Sequence, residues 1–368
     1  MMASILERIG RKSLALRNRL IKPREDEIHH LVEMMQNSPR GYSDAQDWTL
    51  QLASLLARNL LDRVSRKDLA LILAGLVSYR NTGVTPQRSH IALMHAYENS
   101  SGLMQQVLHT ILFSEKIEKV RFIQSAYFGD VHFTEIDAIL SELDQRGYVV
   151  LPRRMQKHWV EAFVSEAREF NYILRNPSND ETSLTGRKID PNDPPQCVAA
   201  YANSSDIANS QLLSDFCNDP LLLHLASRHM GAKVQPIDST LWYSFSSSEP
   251  SADAAQLFHY DLDTLRWLKV FVYLTDVGPD NGPHEYVPGS HRPGAKPFQL
   301  MNRDYARLGD QEIDKYCAQP RKAILGECGT VVLGDTRCFH KGNAVKSSYR
   351  LIYAPIYSAS KIGYFNGS

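Results

Sequence analysis

Cysteine is scarce and never paired along the chain. The five cysteines, Cys197, Cys217, Cys317, Cys328 and Cys338, stand apart with no Cys-x-x-Cys spacing. That pattern excludes a zinc module and a disulfide scaffold and fits a reducing compartment, so a cytoplasmic protein is expected. Charge of one sign is lacking too: 41 basic residues balance 41 acidic ones. Such a balance does not call for a nucleic acid or another strongly charged partner, and none is expected. No apolar run reaches transmembrane length. There is no repeat period, which removes a solenoid. The first residues lack the continuous apolar core, followed by small residues, of a secretory peptide.

What is present suggests two regions in the 368 residues. The first 24 residues are basic, with Arg8, Arg11, Lys12, Arg17, Arg19, Lys22 and Arg24. Ile5, Ile9, Leu16 and Leu20 recur there at helical spacing. Peripheral contact with a membrane surface and a docked terminal helix both fit this pattern, and the docked helix is the expectation. Helical stripes recur at 47–61, 69–77, 91–109 and 117–126, so residues 1–131 are read as an α-helical N-terminal domain. From residue 132 the pattern changes. A helix over 134–143, capped by Thr134, leads to a strand over 147–152 and a helix over 156–170. Residues 175–196 are rich in Asn, Pro, Asp, Ser and Thr; a loop this long suits an active-site lid or a surface insertion. A helix over 212–230 and a strand-rich stretch over 234–245 follow.

The chemistry begins at His259-Tyr260-Asp261. Residues two apart on an extended strand point to one face, so His259 and Asp261 can grip one metal ion. His340 lies far downstream, and Arg350 ten residues beyond it. Two imidazoles and a carboxylate form the ligand set of a non-haem Fe(II) site with open positions. An Arg on the next strand suits a carboxylate-bearing cosubstrate, because guanidinium pairs with carboxylate through two parallel hydrogen bonds. Metal and cosubstrate together point to a 2-oxoglutarate-dependent oxygenase. Taken alone, His-x-Asp is more often a surface pair. The strong strand over 268–274 and the buried strand and turn over 329–343 change that reading.

Two further features lie between the first motif and the distal pair His340 and Arg350: the turn Asp280-Asn281-Gly282-Pro283 and the run Val287-Pro288-Gly289-Ser290-His291-Arg292. In this order, from about residue 147 to 357, the chain resembles the phytanoyl-CoA dioxygenase superfamily of Fe(II)/2-oxoglutarate oxygenases. The resemblance implies a mainly β catalytic domain over 132–368, a double-stranded β-helix or cupin-like jelly roll with flanking helices. It implies Fe(II), 2-oxoglutarate and O2 as cofactors. It also implies iron ligation by His259, Asp261 and His340, and a carboxylate anchor at Arg350. Asn343 and Ser347, between His340 and Arg350, are the further candidate contacts to 2-oxoglutarate.

With Asp261 present, hydroxylation of a small molecule with release of succinate and CO2 is the expected outcome. The halogenases of the superfamily lack that carboxylate. Asp263 is read as supporting rather than ligating. His291 is expected in a structural hydrogen bond, and His284 is expected to be exposed near the turn. Arg266, Arg337 and Lys341 lie near the ligands in sequence and would imply an anionic substrate if two faced the cavity; surface ion pairs are the preferred reading. No Gly-rich loop or dense basic patch marks a CoA site, so the family's name does not name the substrate. The alternative, from another class, is a catalytically silent jelly roll that binds metal or acts as a scaffold through its helical domain.

Overall fold

A computed structural model describes residues 63–175, 186–246, 254–301 and 307–363. The basic N-terminal stretch and the stripe over 47–61 lie outside the described residues. The chain divides into two compact units, Met1–Ser114 with Phe365–Ser368, and Glu115–Tyr364.

In the first unit, α1 (Arg66–Thr82) opens with the Ser65 hydroxyl accepting the Asp68 N–H at 3.0 Å and stops at Gly83, whose φ of 72° ends the helix. The stripe over 91–109 is not one helix. It is split into α2 (Gln87–Ser100) and α3 (Leu103–Phe113) by Ser101 and Gly102, both at positive φ. The Ser100 hydroxyl accepts the Met104 N–H at 3.0 Å across the break, supplying one of the partners that a helix start leaves wanting.

The second unit begins with a correction. Residues 117–126 do not form the expected helix; β1 (Phe122–Ser125) pairs with β2 (Gly129–His132) in a hairpin. The Ser125 hydroxyl accepts the N–H groups of Tyr127 and Phe128, and Gly129 turns at a φ of 74°. Local turn chemistry outweighs the apolar period there. Next, α4 (Phe133–Arg146) starts at His132 without a side-chain cap, rather than at Thr134. It ends at Gly147, where a Cβ would stand 2.4 Å from Cys338 Sγ and 2.5 Å from His291 Nδ1.

The remaining elements are β3 (Tyr148–Val150), α5 (Lys157–Ala167), β4 (Tyr172–Arg175), β5 (Ala199–Ala202), α6 (Ser204–Asn209), α7 (Gln211–Cys217), α8 (Pro220–Met230), β6 (Gln235–Phe245), β7 (Trp267–Tyr273), β8 (His284–Tyr286), α9 (Asp310–Tyr316), β9 (Lys322–Ile324), β10 (Val331–Gly334), β11 (His340–Gly342) and β12 (Tyr349–Ser358). The expected helix over 212–230 is thus two pieces. They part at Asp219, whose carboxylate accepts the N–H groups of Leu221 and Leu222 and caps α8.

Seven strands form one sheet in the order β3-β10-β7-β12-β6-β5-β4, and three form a second in the order β11-β8-β9. Every strand pair in both is antiparallel. This is the jelly-roll arrangement. Strand alternation sorts the large sheet's faces. Leu241, Tyr243, Leu268, Val270, Val272, Leu333 and Tyr353 pack outward against Leu143, Phe163, Phe216 and Leu222 of the helices. Burial of each such side chain contributes roughly 1.5–3 kcal/mol. Phe271, Tyr273, Val332, Ile352 and Ala354 turn inward to meet Tyr286 and Ile324 of the small sheet. The inward positions near the ends of these strands carry the polar residues of the site. Among the described residues, no helix is long and apolar enough to cross a membrane.

Candidate active site

The segment around His259 lies beside β11. His259 and His340 exchange both backbone hydrogen bonds, at 2.9 and 2.8 Å, so the two residues sit directly opposite. Their rings lie 4.3 Å apart. Asp261 is fixed by its N–H, which donates to the Thr336 carbonyl at 2.9 Å. The Thr336 hydroxyl in turn accepts the Trp267 indole N–H at 2.7 Å. The result is a compact set of donors: Nε2 of His259 is 3.6 Å from one Asp261 oxygen, and Nε2 of His340 is 3.6 Å from the other. Ligand atoms of the three residues all lie within 4.8 Å of one another, and among the described residues this is the single grouping of that kind.

Two features prepare these residues for a metal ion. Nδ1 of His259 lies 2.9 Å from the Leu257 carbonyl, and Nδ1 of His340 lies 3.0 Å from that of Cys338. A carbonyl only accepts, so each Nδ1 carries its proton and each Nε2 is left with a lone pair. Burial and the neighbouring His340 push the His259 imidazole down to about 3; burial likewise lowers His340. Both are therefore neutral, the form that binds metal. Burial opposes the charge on Asp261, but the Lys269 ammonium outweighs it and holds the carboxyl below its ordinary range. The Lys269 ammonium is 2.7 Å from Asp261 and 2.9 Å from Asp263. Asp263 thus supports the ligand through Lys269. Sequence reasoning placed Lys269 on a strand face with Phe271 and Tyr273 without choosing the face; the sheet turns it inward.

Arg350 is 4 % exposed, at the inward face of β12. One Nη donates to the Gly282 carbonyl, the other to the Ser244 hydroxyl at 3.1 Å. Its Nε is buried and makes no hydrogen bond. A buried guanidinium N–H without a partner is costly, and a carboxylate would satisfy it. The donor set and this unpaired N–H therefore fit a metal with a dicarboxylate cosubstrate. Gly282 and Gly342 keep the arginine's space open. A Cβ on Gly282 would stand 2.6 Å from the Asn343 carbonyl and 3.4 Å from Arg350 Nη1, and its φ is 70°. Gly282→Ala is expected to cost roughly 1–3 kcal/mol of stability from left-handed strain and crowding. That lowers the melting temperature by about 2–4 °C per kcal/mol. Scanning fluorimetry checks it; an unchanged melting temperature contradicts the tight fit.

Several expected residues are placed elsewhere. The Asn343 side-chain amide donates to the Pro283 carbonyl at 3.0 Å and to Glu285 at 3.2 Å, tying β11 to β8. Ser347 is exposed in the turn before β12, where its carbonyl accepts from the Asn281 amide. The Asn343 amide is thus engaged with Pro283 and Glu285, and the turn that carries Ser347 is held by the buried Val345, which bridges Ser246 and Asn281. Ser244 supplies the hydroxyl beside Arg350, a residue separated from it by more than a hundred positions and visible only through strand pairing. His284 is not exposed: it is 4 % accessible, lies between the sheets with its Nδ1 3.1 Å from the Tyr273 hydroxyl, and packs on Phe271. His291 lies 3.6 Å from the Cys338 thiol, outside the metal-donor set. Burial pushes that thiol up to about 11, so it is an unreactive core residue.

The fold and site together define a jelly-roll protein with a buried two-histidine, one-carboxylate cluster beside a buried arginine. The chain belongs to the phytanoyl-CoA dioxygenase family, whose family model, described as Phytanoyl-CoA dioxygenase (PhyH), matches residues 143–350. It is thereby a member of a family of oxygenases that use Fe(II), 2-oxoglutarate and O2. Solved structures similar to it include the non-haem α-ketoglutarate-dependent epimerase SnoN from nogalamycin biosynthesis. That likeness has 18% identity and a TM-score of 0.45, over 61% of this chain and 83% of SnoN. HygX from Streptomyces hygroscopicus, with nickel, 2-oxoglutarate and hygromycin B bound, shows 17% identity and a TM-score of 0.42, over 60% of this chain and 86% of HygX. EctD from S. alaskensis, with 2-oxoglutarate and 5-hydroxyectoine, shows 21% identity and a TM-score of 0.40, over 60% of this chain and 74% of EctD. No curated protein matches.

Proposed function

We propose that this protein hydroxylates a small molecule in an Fe(II)- and 2-oxoglutarate-dependent reaction that releases succinate and CO2. One observation carries the reading: three buried donors with ligand atoms within 4.8 Å share the pocket region with an arginine whose Nε is unpaired. His259, Asp261 and His340 would hold the metal, and Arg350 the far carboxylate of 2-oxoglutarate. When bound, the metal and cosubstrate supply activation of O2, which no side chain provides.

The residues of the chain have the tasks of binding, orienting and excluding water. The Leu257 and Cys338 carbonyls fix the imidazole tautomers. Lys269 and the Thr336 carbonyl hold Asp261 in place, so ordering the ligand does not have to accompany metal binding. Tyr273, Phe271 and His284 form the closed wall between the sheets and exclude bulk water. Asp261 occupies the position that a halide would need, which favours hydroxylation over halogenation. The test is iron-dependent formation of succinate from 2-oxoglutarate by the purified protein, with hydroxylated product sought in a substrate screen. Iron-loaded protein that forms no succinate with any substrate would support the silent jelly roll instead.

A further inference from the structure

One buried turn orients two of the three metal donors. It runs from Asp335 to Cys338, between β10 and β11, and all four of its residues are buried. The Thr336 carbonyl accepts the Asp261 N–H at 2.9 Å. The Cys338 carbonyl lies 3.0 Å from Nδ1 of His340 and takes its proton. The directions of Asp261 and His340 therefore follow the directions of two carbonyls in this turn. His259 is reached one step later, because its backbone pairs with that of His340.

Asp335 closes that turn. Its carbonyl accepts the Cys338 N–H at 2.9 Å, and its own N–H donates to the Gly147 carbonyl at 2.8 Å. Its carboxylate reaches forward two residues. Oδ1 accepts the Arg337 backbone N–H at 3.2 Å and the Arg337 Nε–H at 2.8 Å, and Oδ2 accepts from Nη2 of the same guanidinium. Behind it, Nε2 of His229 lies 3.3 Å from Oδ2, and Nδ1 of that ring lies 2.8 Å from Asp144. The carboxylate is thus tied to α8 and, through His229, to α4. Arg337 is therefore not in the surface ion pair expected from the sequence. Of the other cations singled out there, Lys341 pairs with Asp310, and Arg266 donates to the Met230 carbonyl. A buried ion pair adds little net stability, because desolvation of both charges offsets their attraction. What the Asp335–Arg337 pair supplies is direction: two parallel hydrogen bonds from one guanidinium, with the backbone bonds beside them, leave the turn one geometry.

We propose that Asp335 is a positioning residue of the metal site, holding the turn whose Thr336 and Cys338 carbonyls orient Asp261 and His340. The inference rests on the function proposed above and gives this buried carboxylate a task in metal binding. Asp335 acts through the two carbonyls. Without its carboxylate, Arg337 loses its partner and the turn relaxes. The His340 ring and the Asp261 carboxylate then have to be ordered at the moment the metal binds. Outer partners of this kind typically contribute about 10–100-fold in metal affinity.

The test uses the full-length protein freed of metal. Anaerobic titration with Fe(II) against a competing chelator gives the affinity, and the visible d–d bands of bound Co(II) report the ligand geometry. Asp335→Ala is expected to weaken Fe(II) by about tenfold to a hundredfold and to shift the Co(II) bands. Asp335→Asn keeps an oxygen for the Arg337 N–H but sets an amide against the other donors. It should weaken Fe(II) by less than the alanine variant while shifting the same bands, and it keeps the test open if the alanine variant does not fold. Phe163→Leu serves as the control for stability alone, since Phe163 packs against Phe216 in the cluster between sheet and helices. It should lower the melting temperature and leave Fe(II) affinity and the Co(II) bands unchanged. Folded Asp335 variants that bind Fe(II) as tightly as wild type, with unchanged Co(II) bands, overturn the proposal. So does an equal loss of affinity in Phe163→Leu, which would make the effect one of stability. If the wild type binds Fe(II) without forming a chelate band with 2-oxoglutarate, and the Asp335 variants still lose the metal, the positioning role stands and the oxygenase reading fails. Folded wild-type protein that binds neither metal overturns both.

Discussion

His340→Ala is expected to lose Fe(II) binding by a factor of more than about a hundred, with turnover falling below detection. Even outer partners of a metal ligand typically contribute about 10–100-fold in affinity, and His340 itself is a donor in the proposed set. The fold should survive. The backbone bonds between His259 and His340 do not involve the side chain, and truncation opens space in a polar pocket rather than in the main cluster between sheet and helices. Iron content after desalting and circular dichroism check the two halves. A folded His340→Ala protein that keeps stoichiometric iron would remove His340 from the ligand set.

Arg350→Ala is expected to raise the dissociation constant for 2-oxoglutarate by about a hundredfold or more while leaving Fe(II) affinity within a few-fold. Truncating one partner of a buried, hydrogen-bonded charge pair costs about 2–5 kcal/mol, and each 1.4 kcal/mol is about tenfold. The metal donors contact neither guanidinium nitrogen, whose partners are Gly282 and Ser244. Anaerobic titration of iron-loaded variant and wild type separates the two affinities. Equal loss of iron and 2-oxoglutarate would make Arg350 a structural residue. Because Arg350 bridges Gly282 and Ser244, a modest fall in melting temperature accompanies either outcome and does not decide between them.

The site was legible in the sequence where short spacing encodes geometry. His259 and Asp261 are two apart, and that period alone sets them on one face. His340 and Arg350 could be read only by assuming that their strands return beside the first, which the pairing of His340 with His259 and of Arg350 with Ser244 provides. What escaped were contacts made by register. Lys269 reaches Asp261 because β7 turns its odd-numbered residues inward, and either face had fitted the sequence. Ser244 reaches the site through pairing with a segment distant in sequence. Asn343 and Ser347 were selected for lying between two functional residues; the Asn343 amide is bonded to Pro283 and Glu285, and Ser347 is exposed in the turn. His284, placed outside for its closeness to Asn281-Gly282, is drawn in because β8 begins immediately after the turn. The helix expected over 117–126 failed for a similar reason: one serine and one glycine, Ser125 and Gly129, specify a hairpin that the apolar pattern does not reveal.

The most direct measurement is an anaerobic titration of the purified protein with Fe(II) and 2-oxoglutarate, following the weak visible charge-transfer band of the chelate. The account predicts a band that requires both components, saturates at one equivalent of iron, and is absent in His340→Ala. A folded, iron-loaded protein that develops no band with saturating 2-oxoglutarate would contradict it.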